Sequence, residues 1–486
     1  MGSPTSSQST KPKSHHVVIF PFMSQGHTLP LLDLSKCFSN LNLTVTIITT
    51  PANALQIQKS ISKHPNIHLI QIPFPRIQEL PTPCENTKDL PSMSYLPQFF
   101  AAVAKLQEPF HQVLQGMEDS CSLPICVISD FFLGFTLDTC RKFHVPRVVF
   151  HGMGVLSMVI TKHITMHAEA LWKSSRFTAK TKTETEKPAE TDYINSEESI
   201  EFPGLTLPFS MTKVDIPEVL VNVADPDDPG TRFLAEMRES EINSWGVIVN
   251  SFAELESEHV ANLESFYKQE GAKAWCVGPL FLYHDMDGED EPDETIQWLD
   301  EHEDGSVVYV SFGSQADVSD VQLDEVIHGV EMSSHPFIFV VRSKTWVLPD
   351  GLEDKLKGKG LVVREWVNQR RILSHKAIGG FLSHCGWNSV LESISCKVPI
   401  LAWPMMAEQP LNARIVVDGF GIGLKVPMGG TVDRGDICTV VDELMNSEKG
   451  KKAREKVKSL GEAARQAVQT DGSSFKCLNE FIDALT

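Results

Sequence analysis

No stretch of this chain reaches the roughly 18 consecutive apolar residues of a membrane-spanning helix, so membrane insertion is not expected. Paired cysteines are also missing. The 10 Cys are scattered without a single C-x-x-C, which points to a reduced, cytoplasmic protein. Basic charge is scarce: 43 Lys and Arg stand against 63 Asp and Glu, for a net charge of −20. Such a chain is a poor general binder of nucleic acid or of an anionic membrane. An anionic ligand must therefore be held locally, by backbone amides and a few placed side chains. The dinucleotide fingerprint G-x-G-x-x-G is absent from both halves. "GFGIG" (419–423) has the wrong spacing, precedes a strand pattern and opens no helix. The first residues, "MGSPTSSQSTKPKSHH", lack the apolar core of a signal peptide, and 1–14 read as a disordered tail.

What is present is a repeated α/β pattern. At 486 residues the chain is too long for one ordinary core, and two domains are expected. "HHVVIFPF" (15–22) reads as a strand and "MSQGH" as a loop. Leu31, Leu34, Phe38 and Leu41 then recur at helical spacing, and "LTVTIITT" (43–50) is a second strand. That β-α-β unit implies a parallel sheet. "PICVISD" and "RVVF" add strands ending at Asp130 and Phe150. Residues 178–200 read as a solvated loop. "VGPL" (277–280) closes the first half, and 281–294 form an acidic linker. The pattern restarts with "SVVYVSFGS" (306–314) and continues through "FIFVVR", "GLVVREWV", "AIGGFLSH", "VPILAWP" and "IGLKV". Two Rossmann-like domains are expected, 15–280 and 295–465, with 466–486 as a C-terminal helix packing back on the first.

Polar residues crowd at "FLSHCGWNSVLES" (381–393), where a strand hands over to a helix. His384 ends the strand, Gly386 permits a tight turn, and Asn388 and Ser389 are good N-cap types. A helix N-terminus with its unpaired N–H groups is a ready phosphate site. Glu392, one turn in, can accept hydrogen bonds from a sugar diol. The plainer alternative is a capped helix after a buried strand, with Trp387 as core. "SQGHTLP" places His27 after the first strand, where it either acts as a base or simply caps and packs. The Asp-x-Asp pairs at 225–227 and 285–287 lie in acidic loop stretches with no strand leading in, and no metal is expected there.

The wider context narrows these choices. From Trp366 to Gln409 the chain resembles the signature box of plant secondary-product UDP-glycosyltransferases. The matches include Trp366, Gln369, Ile372, Leu373, His375, Gly380, Phe381, His384 through Ser389, Leu391, Glu392, Val398, Pro399, Trp403, Pro404, Glu408 and Gln409. "PFMSQGHTLP", "SDFFLGF", "VNSFAELE", "VGPL" and "SFGS" extend the likeness over the whole chain. The resemblance implies an α/β GT-B fold: two facing Rossmann-like domains with parallel sheets and an inter-domain cleft. The first domain would bind the acceptor and the second the UDP-sugar. Trp366 would stack on uracil, with Gln369 and the Val367 backbone at its edge. Glu392 would take the ribose hydroxyls. His384, Asn388, Ser389 and Ser314 would hold the diphosphate, with the helix end at Gly386 and Trp387, and Glu408 and Gln409 would bind the sugar. His27 would be the catalytic base and Asp130 its partner carboxylate, although 103 positions separate them.

Three departures stand out. Val367-Asn368 replaces Ala-Pro, Lys397 replaces a Gly, and Glu408 stands where Asp is commoner. The implied chemistry is one inverting displacement, giving a β-O-glycoside without a cofactor beyond the UDP-sugar co-substrate. Gln409 goes with glucose. Phe22, Met23, Phe131, Phe132 and Phe150 follow strand ends and either line a pocket for a lipophilic acceptor, such as a flavonoid, phenol or terpenoid, or belong to the core. The family expectation is a monomer. Alternatives are another UDP-sugar donor, or a catalytically silent binding protein, against which His27 and Asp130 both speak. An NAD-dependent oxidoreductase lacks its glycine fingerprint.

Overall fold

The computed structural model describes residues 15–81, 83–166, 199–202, 204–212, 215–217, 220, 229–284, 293–427 and 429–486. The tail 1–14, most of the 178–200 loop, most of the 281–294 linker and both Asp-x-Asp pairs lie outside them.

The first sheet contains β1 (His16–Phe20), β2 (Thr44–Thr49), β3 (Ile67–Gln71), β4 (Cys126–Asp130) and β5 (Arg147–His151). A short antiparallel pair follows, β6 (Ser199–Ile200) with β7 (Met211–Thr212). Then β8 (Gly246–Val249) and β9 (Lys273–Cys276) complete seven strands in the order β3-β2-β1-β4-β5-β8-β9. The second sheet has six: β10 (Val307–Ser311), β11 (Phe337–Val340), β12 (Gly360–Val363), β13 (Ile378–Ser383), β14 (Ile400–Ala402) and β15 (Gly423–Lys425). Their order is β12-β11-β10-β13-β14-β15. Both sheets are parallel, and their strands read as unbroken apolar runs because helices cover both faces. Val17 through Phe20 are wholly buried, as are Val307 and Val310.

Each sheet reverses its strand order beside its first strand. β1 pairs with β2 on one side and β4 on the other. β10 does the same with β11 and β13. At such a reversal the connections leave in opposite directions, and a crevice opens beyond the strands' carboxyl ends.

Two boundaries differ from expectation. The helix after β1 spans Gln25–Asn40, so His27 lies in its first turn and not in a loop. The helix after β13 spans Trp387–Ser395 with Gly386 as N-cap, which places Asn388 and Ser389 inside the first turn. Cys396 caps the end of that helix, and Lys397 follows in the left-handed region at φ 64°. Val398 N bonds back to Ser393 O there, the closure that favours glycine.

Packing divides the chain inside β5, after Val149. Within the unit Phe150–Ala484, Trp387 is only 2% exposed, and its indole N–H donates to Asn250 O at 2.8 Å. Gly154 lies against the indole face, and a Cβ there would meet three ring carbons at 2.7–2.9 Å. In the same unit the helix Ser473–Asp483 packs Phe481 on Trp275 at 5.1 Å, and Ser474 Oγ donates to Gly278 O. A rigid buried ring cannot yield to an added methyl. Gly154→Ala should therefore destabilise the protein by about 1–3 kcal/mol, read as a lower denaturant midpoint. An unchanged midpoint would contradict this packing.

Candidate active site

At the first reversal, β1 and β4 run in register, with Phe20 opposite Ser129. The residues that follow Phe20 therefore meet the end of β4. Ser24 N bonds to Phe22 O, and His27 N and Thr28 N bond to Ser24 O, so the chain turns tightly into its helix. This puts His27 Nδ1 at 2.8 Å from Asp130 Oδ2. A carboxylate only accepts, so Nδ1 carries the proton and Nε2 is the basic nitrogen. Asp130 is fully buried and the His27 side chain 26% exposed. The other carboxylate oxygen accepts from Phe132 N at 3.0 Å. Arg147, 2% exposed, donates to Asp130 O and to Ser129 Oγ. The end of β4 is thus held rigidly, and the imidazole inherits that rigidity.

Aromatic rings wall this pair. Phe22 and Phe132 lie 5.4 and 5.5 Å from the His27 ring centroid, and 5.1 Å from each other. Phe100, which the sequence analysis did not single out, packs on both, and Phe131 on Phe132. Phe22 and Met23 are buried within the cluster, and Phe150 is fully buried in β5.

The second reversal carries the other constellation. Ser311 ends β10 opposite Ser383, so the Gly313–Ser314 turn and the His384–Gly386 turn are neighbours. Gly313 has φ 78°, and a Cβ there would lie 2.7 Å from His384 Nε2. A Cβ on Gly386 would lie 2.6 Å from the same atom. The imidazole fits only because both neighbours are glycine. His384 Nδ1 is sealed from solvent without a hydrogen-bond partner among the described residues, and burial pushes the pKa down to about 4. Ser314 is exposed. Val390 N is bonded to Gly386 O, so the amides of 387–389 precede the first bond of the helical ladder. Trp387 offers this site only backbone, because its indole is core.

Around the helix Trp387–Ser395, Gln369 Nε2 donates to Ser389 Oγ at 2.9 Å and to Glu392 Oε2 at 2.8 Å. Tyr309 O–H donates to Gln369 Oε1 at 3.3 Å. Trp366 is 59% exposed and offers a bare indole face, whereas the Val367 side chain packs against the core. Gln409 Oε1 accepts from both Met405 N and Met406 N at 2.9 Å, so its amide nitrogen is the group it can turn to a ligand. Asn412, which sequence reasoning missed, is fully buried. Its Nδ2 donates to Cys385 O at 2.9 Å and to Glu408 Oε1 at 3.4 Å, while Oδ1 accepts from Ser157 Oγ at 2.7 Å. One side chain therefore ties the His384 turn to Glu408. Its position one turn after Glu408 was the available signal.

Similarity to known proteins follows the same two regions. Residues 284–462 match the family model "UDP-glucoronosyl and UDP-glucosyl transferase", and 13–203 match "Glycosyltransferase, N-terminal domain". The chain is 35% identical to the scopoletin glucosyltransferase of Nicotiana tabacum, over 97% of this chain and 98% of that one. It resembles Glycyrrhiza uralensis UGT73P12, solved with glycyrrhetinic acid 3-O-monoglucuronide: 30% identity, TM-score 0.81, covering 97% and 96% of the two chains. It also resembles Phytolacca americana UGT2, solved with UDP-2fluoro-glucose and pterostilbene: 26% identity, TM-score 0.78, covering 97% and 100%.

Two outcomes are expected. Asn412→Ala removes the brace of the His384 turn and should raise the KM for the UDP-sugar about 10-fold while leaving that for the acceptor unchanged, in steady-state kinetics. In the ligand-free protein, imidazole NMR should find His384 neutral from pH 8 down to pH ~5.5, because its folded pKa lies well below the ordinary 6.5. Its contribution to stability is then full above pH 6.5 and is lost as pH falls toward about 4. Protonation of His384 above pH 6 would contradict this environment.

Proposed function

The chain belongs to the plant family 1 UDP-glycosyltransferases, with the GT-B fold, and on that premise we propose that it transfers glucose from UDP-glucose to a hydroxyl of a small lipophilic acceptor. The acceptor class is a flavonoid, another phenol or a terpenoid, and the product is a β-O-glycoside. The observation that carries this reading is the 2.8 Å pair of His27 and Asp130 at the end of the first sheet's switch strands.

His27 Nε2 takes the acceptor proton as the oxygen attacks the anomeric carbon, and UDP leaves. Asp130 holds the tautomer and stabilises the imidazolium that forms, as in other His–Asp pairs. One in-line displacement inverts the anomeric centre. Charge on the leaving diphosphate is met by amides 387–389, His384, Asn388, Ser389 and Ser314. Trp366 stacks on the base, Gln369 and the Val367 backbone hold its edge, and Glu392 takes the ribose hydroxyls. Glu408 accepts from the sugar and Gln409 donates to it. Phe22 and Phe132, beside the His27 ring, favour a flat apolar acceptor. Phe131 packs on Phe132, and Met23 lies buried in the same cluster.

In this reading the acceptor half spans 15–280 and the donor half 295–465, joined by 281–294. The terminal segment 466–486 returns to the first half. The reaction needs no metal, and the protein acts as a cytoplasmic monomer. No helix among the described residues is long and apolar enough to cross a membrane.

A product assay tests the proposal: UDP-glucose with EDTA and a panel of flavonols, simple phenols, terpenols and steroids, on wild type and His27→Ala. Wild type should form a β-glucoside, and the variant should be slower by about 10²–10⁴-fold. Undiminished turnover by His27→Ala would place the base elsewhere. Loss of activity in EDTA alone would overturn metal independence, and product from another UDP-sugar but not UDP-glucose would overturn the donor.

A further inference from the structure

Two consecutive arginines open the short helix Gln369–Ser374, and neighbours in a helix point to different sides. Arg371 Nη1 lies 3.7 Å from Asp293 Oδ2. Arg370 turns the other way. Its Nε donates to Glu392 Oε1 at 2.9 Å, and its guanidinium carbon sits 4.8 Å from the Phe281 ring centroid. The Glu392 side chain is 9% exposed and that of Arg370 24%. This is not a surface ion pair of the kind that water screens away. The second carboxylate oxygen accepts from Gln369 Nε2 at 2.8 Å. Glu392 is therefore gripped at both oxygens, by two consecutive residues of one helix.

We propose that Arg370 is a positioning residue for the donor nucleotide: it fixes the Glu392 carboxylate in the orientation that receives the ribose hydroxyls. The inference rests on the reading of Glu392 as the ribose carboxylate. Rotation about the last bond of a glutamate is soft, so an ungripped carboxylate samples many orientations. A carboxylate oxygen accepts about two hydrogen bonds. Arg370 takes one site on Oε1 and Gln369 one on Oε2, which leaves one on each oxygen. Two remaining sites match the two hydroxyls of a cis-diol. The guanidinium also offsets a negative charge that would otherwise meet an anionic ligand in a chain of net charge −20. A lysine keeps that charge but has neither the planar fork nor the flat face that rests on Phe281.

The test measures binding of UDP and of 2′-deoxy-UDP by calorimetry, and the readout is the ratio of their dissociation constants. Wild type, Arg370→Gln, Arg370→Lys, Glu392→Gln and the double variant Arg370→Gln/Glu392→Gln are compared. Wild type should prefer UDP by about 10-fold or more, the worth of a hydrogen bond to a charged group. Glu392→Gln should bring the ratio close to one. Arg370→Gln and Arg370→Lys should each lower the wild-type ratio by at least about 3-fold, and the double variant should fall no further than Glu392→Gln. A wild-type ratio in Arg370→Gln, with the ratio lost in Glu392→Gln, overturns the role of Arg370 alone. So does full rescue by Lys, which would make charge and not orientation the cause. Equal weakening of both nucleotides in Arg370→Gln overturns it as well. A ratio unchanged in Glu392→Gln, or absent from wild type, overturns the reading of Glu392 itself.

Discussion

Parallel strand pairing is the constraint on which the rest depends. It sends every strand of a sheet the same way, so all the carboxyl ends gather at one edge. Where the order reverses, two neighbouring strands deliver their loops to opposite sides, and the space between is left for chemistry. His27 and Asp130 are 103 residues apart and yet share a hydrogen bond, because β1 and β4 are neighbours in register. The Gly313 and His384 turns come together in the same way, through β10 and β13. Neither site needs long-range design beyond the register of two buried strands. The side chains have only to be placed at the strand end or within seven residues of it: Asp130 ends β4, and His27 lies seven residues after Phe20.

The second constraint is electrostatic. A chain of net charge −20 must bind a diphosphate, and it does not cover a face with lysines to do so. In the proposed reading, the cluster at the second sheet would do this with partial charges: the first amides of a helix, hydroxyls, and an imidazole that burial keeps neutral. Neutral donors carry little desolvation cost when the site is empty, whereas buried cations would carry a large one. Two arginines of this domain are paired. Arg370 lies on Glu392, and Arg414 bridges Asp215 and Asp418. Pairing of this kind gives direction to groups that would otherwise act only as diffuse field.

Much of this was legible in the sequence, and what was not has a physical reason. The long apolar runs of β1, β2, β4 and β10–β15 stood out by composition. β3 carries a histidine at its second position and a glutamine at its end, and β9 opens on a lysine, which blurs the signal in both. His27 and Asp130 could be named but not brought together, since adjacency is a property of the sheet. For "FLSHCGWNSVLES" the two competing readings prove compatible. Trp387 is core, and the helix end it opens still presents its amides at the switch point. Lys397 shows how a departure becomes intelligible: the family's glycine answers to a left-handed φ, and lysine takes that conformation at a strain of about 1–2 kcal/mol. Arg370 and Arg147 act through partners that no local pattern marks, whereas Asn412 was signalled only on its Glu408 side, one helical turn away.

The sugar end of the proposed site shows how this buried scaffolding bears on specificity. A glutamine can in principle present either end of its amide to a hydroxyl. Here two backbone amides claim Gln409 Oε1, so its orientation is set by the turn at Met405–Met406 and not by the ligand. Gln409 is thereby a donor of fixed direction. Glu408 is acceptor-only, and Asn412 holds one of its oxygens from the next turn of the same helix. The pair offers a sugar one fixed donor and one acceptor on a side chain a methylene longer than the family's usual aspartate. A fixed group cannot adapt when a hydroxyl changes configuration, whereas the longer side chain beside it can. In the proposed reading, discrimination among UDP-sugars at this position would rest on what Gln409 does not accommodate. Glu408 would set only how far the sugar ring can shift before its hydrogen bond is lost.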